Sequence, residues 1–154
     1  MNAALIWKAV AVFGAALLLA QGTVAADGAK PGARTQGSTP AYVSLAYQPI
    51  KSVSMLDLPK DFVAAQVMSV SSRERLEDYV NRYGLVGLSG ARVAHDGRLR
   101  YVLLLGIYET RELADQATKG LPPPLDELDV WMRSMASLQR AIISADELVG
   151  APSN

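Results

Sequence analysis

From Asp61 onward the apolar positions follow two periods in turn. Residues 62–70 alternate, setting Val63, Ala65 and Val67 on one face and Ala64, Gln66 and Met68 on the other, which predicts a strand. Ser71-Ser-Arg-Glu74 then reads as a capping box, with Ser71 and Glu74 satisfying the first free amides of a helix. Leu76, Tyr79, Val80 and Tyr83 fall at i, i+3, i+4 and i+7, the apolar stripe of that helix, and Gly84 suits the position just past its end. Residues 90–102 predict a hairpin, because Asp96-Gly97 is a favoured pair for a tight turn between antiparallel strands. Residues 100–108 form the most hydrophobic strand and are expected at the centre of the sheet, with Leu103 and Leu105 facing the helices. A second helix begins near Thr110 and turns Leu113, Ala114, Ala117 and Leu121 inward, until Pro122-Pro-Pro124 stops it. A last strand is expected over 130–135. A terminal helix is expected from 137 to about 148, with Leu138, Ala141 and Ile142 along one side.

An internal echo organises these elements. Val63-Ala-Ala-Gln-Val-Met-Ser-Val70-Ser-Ser-Arg-Glu74 returns 38 positions later as Tyr101-Val-Leu-Leu-Leu-Gly-Ile-Tyr108-Glu-Thr-Arg-Glu112. Two such strand–helix units predict an α+β domain of ferredoxin-like βαββαβ topology. Its four-stranded antiparallel sheet would carry helices on one face, with a short C-terminal helix added. Such a domain offers a sheet face rather than a cleft, which favours a binding module over an enzyme.

Upstream of the domain the pattern is different. Lys8 precedes a continuous apolar run over 9–20, and Thr23-Val-Ala-Ala26 supplies small residues for cleavage after Ala25 or Ala26. This is the layout of a secretory signal peptide, with an uncleaved membrane anchor as the other main reading. Both export the remainder. Residues 27–40, rich in Gly, Pro, Ser and Thr, read as a linker. Residues 41–59 are either a short edge strand or an extended lead-in, since Val43, Leu45 and Tyr47 alternate. The division expected is therefore a signal or anchor over 1–26, linker and lead-in over 27–59, the domain over 60–148 and a tail over 149–154.

Composition removes whole classes of chemistry. The 154 residues contain no cysteine, which excludes thiolate metal sites, iron–sulfur clusters, thiol catalysis and disulfides. Lys plus Arg and Asp plus Glu number 15 each, so the broad basic field of a nucleic-acid binder is missing. The aliphatic central strand also lacks the stacked aromatics of an RNA-binding sheet. His95, the single histidine, sits beside a turn and reads as a solvated loop residue. Glu77/Asp78 and Asp126/Glu127/Asp129 read as solvated surface rather than acid–base pairs. No nucleophile elbow, phosphate loop or metal-ligand spacing occurs, so no catalysis and no cofactor are expected.

Gln66 stands out against this background as a neutral amide in a strand of apolar and small residues. It is either an edge amide bonded to a neighbouring loop or a ligand amide offering donor and acceptor to a sugar. Ser69 could add a hydroxyl. Trp131 is either a half-buried anchor or a flat apolar platform with one donor, suited to a pyranose face.

Three stretches carry a resemblance: Phe62-Val-Ala-Ala-Gln-Val-Met-Ser-Val-Ser-Ser; His95-Asp-Gly-Arg-Leu-Arg-Tyr-Val-Leu-Leu-Leu-Gly-Ile-Tyr; and Leu121-Pro through Val130-Trp-Met-Arg-Ser to Ser137-Leu-Gln. In order and spacing they resemble the SPOR (sporulation-related repeat) domain, most closely that of DamX-type cell-division proteins. The resemblance implies an exported domain, enriched at the division septum of the periplasm, that binds peptidoglycan glycan strands stripped of stem peptides. It places the glycan on the sheet face away from the helices, at Gln66, Ser69 and Trp131, with Arg100 and Tyr101 as secondary contacts. Arg100 stands where DamX-like domains tend to carry a second tryptophan, and Val70 where an aromatic is frequent. An envelope protein–protein adaptor using the same face, with glycan binding lost, is the alternative, and an enzyme accessory subunit is a third. The partners implied are peptidoglycan and division-site envelope proteins, with no nucleic acid, and the membrane only through an uncleaved N-terminus.

Overall fold

The computed structural model describes residues 39–150; the expected signal or anchor segment, the linker up to residue 38 and the last four residues of the tail lie outside them. A single helical turn, α1 (Ala41–Ser44), precedes β1 (Val63–Val70), α2 (Arg73–Tyr83), β2 (Ser89–His95) and β3 (Arg98–Tyr108). Next come α3 (Arg111–Ala117), β4 (Trp131–Ser134) and α4 (Met135–Gly150). The strands form one antiparallel sheet in the order β2-β3-β1-β4, which is the ferredoxin-like arrangement.

Local chemistry explains most of these boundaries. The cap of α2 is Ser72, not Ser71: its Oγ accepts from the Arg75 amide at 3.4 Å. Arg75 therefore occupies the third helical position, so Glu74 cannot close the expected reciprocal box. The second copy matches the first in detail. Thr110 Oγ1 accepts from the Leu113 amide at 3.3 Å, and Arg111–Asp115 repeats the i,i+4 pair Arg73–Glu77. Gly84 ends α2 in the left-handed conformation, with the Leu85 amide donating to Val80 O. Asp96 and Gly97 both take positive φ, at 50° and 69°, as the expected two-residue hairpin turn requires. Helix α3 stops earlier than its prolines demand, because Thr118 Oγ1 donates back to Ala114 O at 3.1 Å and Gly120 turns the chain away at φ 67°.

The sheet has a core on each side. Toward α2 and α3, Ala65, Val67, Leu103, Leu105 and Tyr108 pack with Leu76, Ala114, Ala117 and Leu125. On the other face Ala64, Val93, Val102 and Leu104 lie beneath Met135 and Leu138 of α4. Helix α4 follows β4 without a loop, and its first amides donate to Phe62 O at 2.7 Å and Lys60 O at 3.0 Å. It starts at the β4 edge and leans chiefly on β2. The second face is thus not helix-free as expected; it is covered on the β2–β3 side.

Residues 41–58 form neither an edge strand nor an extended lead-in. Tyr42 is buried in the first core, its hydroxyl donating to Val86 O at 3.0 Å while its carbonyl accepts from Tyr108 Oη at 2.9 Å. Further on, Gln139 Nε2 of α4 donates to the carbonyls of Met55, Leu56 and Leu58. Val43, Leu45 and Ala46 pack on the first core and Tyr47 on the second, so their spacing wraps the chain around the sheet instead of extending it.

Candidate functional site

Two irregularities in the β1–β3 ladder build the candidate site. Ala65 pairs with Gly106, Gln66 with Leu104 and Met68 with Leu103, so Leu105 on one strand and Val67 on the other are extra residues. Val67 and Met68 consequently both turn toward the first core, which corrects the expected placement of Met68 beside Gln66. The bulge also moves Ser69. Three residues apart, Gln66 and Ser69 would face opposite ways under strict alternation. With the extra residue, Ser69 lies opposite Val102 and Gln66 opposite Leu104, both on the second face.

Strand β4 brings the indole to the same place. Trp131 pairs directly with Gln66 and Arg133 with Ala64, so both side chains rise on the second face, while Met132 between them packs on the first core. Trp131 is 57% exposed and Gln66 only 7%. The bonding partner of Gln66 comes from β4 rather than from a loop, and β1 is an interior strand: Arg133 Nη1 donates to Gln66 Oε1 at 3.3 Å. An arginine can only donate, so the amide must present its oxygen there. Its Nε2 then has no acceptor among the described residues and is not an enclosed orphan.

Arg133 was not legible as a site residue from residue type alone, although its position two after Trp131 in a strand puts both on one face. Its guanidinium carbon stands 5.3 Å from the Trp131 ring centroid, a cation–π contact. Its Nη2 donates to Ser137 O and Ser137 Oγ, each at 3.0 Å, and ties the strip to the first turn of α4. Its Nε is buried without a partner. Burial lowers the guanidinium pKa from its ordinary value, though the group stays charged.

Of the remaining expected contacts, Arg100 joins the second face, opposite Val93, and is half-buried. It lies four residues from Leu104 along β3, about 13 Å at ordinary strand rise. Tyr101 does not join them. It pairs with Val70 and packs on the α2–α3 side, because adjacent strand residues point to opposite faces. The structure therefore assembles Trp131, Gln66 and Ser69 along the uncovered margin of the second face, with Arg133 beneath the indole, while Arg100 shares that face on β3, beside the part that α4 covers. A shallow concavity between the hairpin tip and the end of α4, lined by Ala94, Asp96, Gly97, Ser144, Glu147 and Leu148, shares none of these residues. Among the described residues no cluster of His, Asp and Glu could hold a metal ion, and no helix is long and apolar enough to cross a membrane.

No curated protein matches this chain. Residues 59–133 match the family model of the SPOR domain, a peptidoglycan-binding, division-associated binding domain, and the match supports a SPOR domain protein.

Proposed function

We propose that this chain binds peptidoglycan glycan strands without catalysis, through the uncovered margin of its second sheet face, as an exported septal protein of the DamX type. The observation that carries the reading is the convergence of an exposed indole, an amide with a free donor and an exposed hydroxyl. The bulge at Val67 makes that convergence possible. Trp131 offers its ring to a pyranose face, Gln66 Nε2 donates to an acetamido or hydroxyl oxygen, and Ser69 Oγ adds a donor or acceptor. Arg100 extends the strip and contributes planar donors in place of a second indole. The apolar run over 9–20, outside the described residues, supplies export as a signal peptide or an anchor, and the domain would then work in the periplasm.

The test is retention on purified sacculi before and after amidase treatment. Retention should rise when stem peptides are removed. It should disappear in the Gln66→Ala, Trp131→Ala double variant while the melting temperature stays near wild type. Unchanged retention by that variant refutes the site. The exposed indole equally suits an envelope adaptor, and that reading predicts no retention on sacculi but capture of a division-site protein through Trp131.

A further inference from the structure

Among the described residues three arginines meet carboxylates: Arg73 pairs with Glu77, Arg92 with Asp146 and Arg111 with Asp115, at 2.6, 2.7 and 3.0 Å. Arg133 does not. Its donors reach only neutral oxygens, those of Gln66 and Ser137, and its Nε is buried with no acceptor. Arg100, on the same face, also lacks an ion-pair partner among the described residues. The guanidinium beneath the indole is therefore a cation with no carboxylate paired to it among the described residues. A partly buried charge without a counter-charge is unfavourable in the free protein, and a ligand that supplies the counter-charge relieves that cost.

Resting on the glycan reading, we propose that Arg133 is a specificity-determining residue that recognises a free carboxylate on the strand: the lactyl carboxylate of the muramic acid units. Where a stem peptide is attached, this group is tied up as a neutral amide. Removal of the peptide leaves an anion. The amide offers an oxygen of ordinary strength, whereas the carboxylate forms a charge-assisted pair with a guanidinium. The arrangement around Arg133 suits that exchange. Its contact with Gln66 Oε1, at 3.3 Å, is longer than a usual N–H···O bond and is replaceable by a stronger acceptor. The Trp131 face and Ser137 hold the guanidinium plane in position beside a sugar stacked on the indole. Selection for stripped strands then follows from charge as well as from the room left by the missing peptide.

The experiment measures affinity for peptide-free glycan strands and for the same strands after their carboxylates are coupled to methylamine. Each is tested against wild type, Arg133→Gln, Arg133→Lys and Arg100→Gln. Wild type should bind the free-acid strands about tenfold more tightly than the amidated ones, as expected for one charge-assisted hydrogen bond. Arg133→Gln should erase that ratio, Arg133→Lys should keep part of it, and Arg100→Gln should leave most of it. A purely structural role for Arg133 would weaken both ligands equally and preserve the ratio, which overturns the proposal. Equal wild-type affinity for the two strands also overturns it while leaving glycan binding intact, and needs no variant to fold. Failure of wild type to bind either strand removes the glycan reading and this inference together.

Discussion

The two faces of the sheet differ in how completely they are closed. The face toward α2 and α3 is sealed by aliphatic side chains, Tyr42 and Tyr108, and both phenols are satisfied internally, by the carbonyls of Val86 and Tyr42. The other face is closed only on the side where α4 lies over β2 and β3, and along β1 and β4 it leaves an indole, an amide and the Arg133 guanidinium. The first face is organised for stability. The second couples a small core to a surface whose polar groups are not all satisfied from within. An incompletely closed sheet is a suitable place to bind a ligand, because the groups that would otherwise be buried with partners are still available.

Substitutions on each side should separate these roles. Leu103→Ala, in the sealed face, should cost about 2–5 kcal/mol in chemical denaturation and leave sacculus retention of the folded fraction unchanged. Gln139→Ala removes the donor shared by three carbonyls between α4 and residues 55–58, and should cost about 1–3 kcal/mol. If that loss also lowers retention, the covered half of the second face supports the margin more than proposed. Burial and the neighbouring Tyr42 push the Tyr108 phenol up to about 12. Its neutral form is favoured in the fold, so its contribution is intact below the ordinary tyrosine pKa of about 10 and is lost as pH rises toward 12. Denaturation midpoints followed between those values, together with tyrosinate absorbance, check it. Arg92→Ala breaks a solvent-screened pair to Asp146 at the outer end of α4 and should change stability by no more than about 1 kcal/mol. Smallest in stability is Trp131→Ala, within about 0.5 kcal/mol for an exposed side chain, yet it should abolish retention. A large drop in melting temperature with that variant would move Trp131 from the proposed binding margin to the core.

Much of the sealed face was legible in the chain. Leu103 and Leu105 face the helices as the echo with Ala65 and Val67 requires, and Asp96-Gly97 makes the expected turn. The cap shifted by one residue because Ser71 and Ser72 are interchangeable on paper; only the backbone decides which serine reaches the third amide. The candidate site was legible residue by residue but not as a surface. Gln66, Ser69, Arg100 and Trp131 share one face, yet strict alternation separates Ser69 from Gln66, and the register of β3 turns Tyr101 to the opposite face from Arg100.

By itself, the sequence determined the element types from residue 62 onward, the repeat of strand, capped helix and ion pair, and the absence of cysteine, because these depend on composition, periodicity and neighbours a few residues away. Tertiary structure decided that the bulge at Val67 turns Ser69 toward Gln66, that α4 covers half of the second face, and that Arg133 stands beneath Trp131 without a carboxylate. Those outcomes depend on register between strands far apart in the chain, and register is set by the packing of both cores at once.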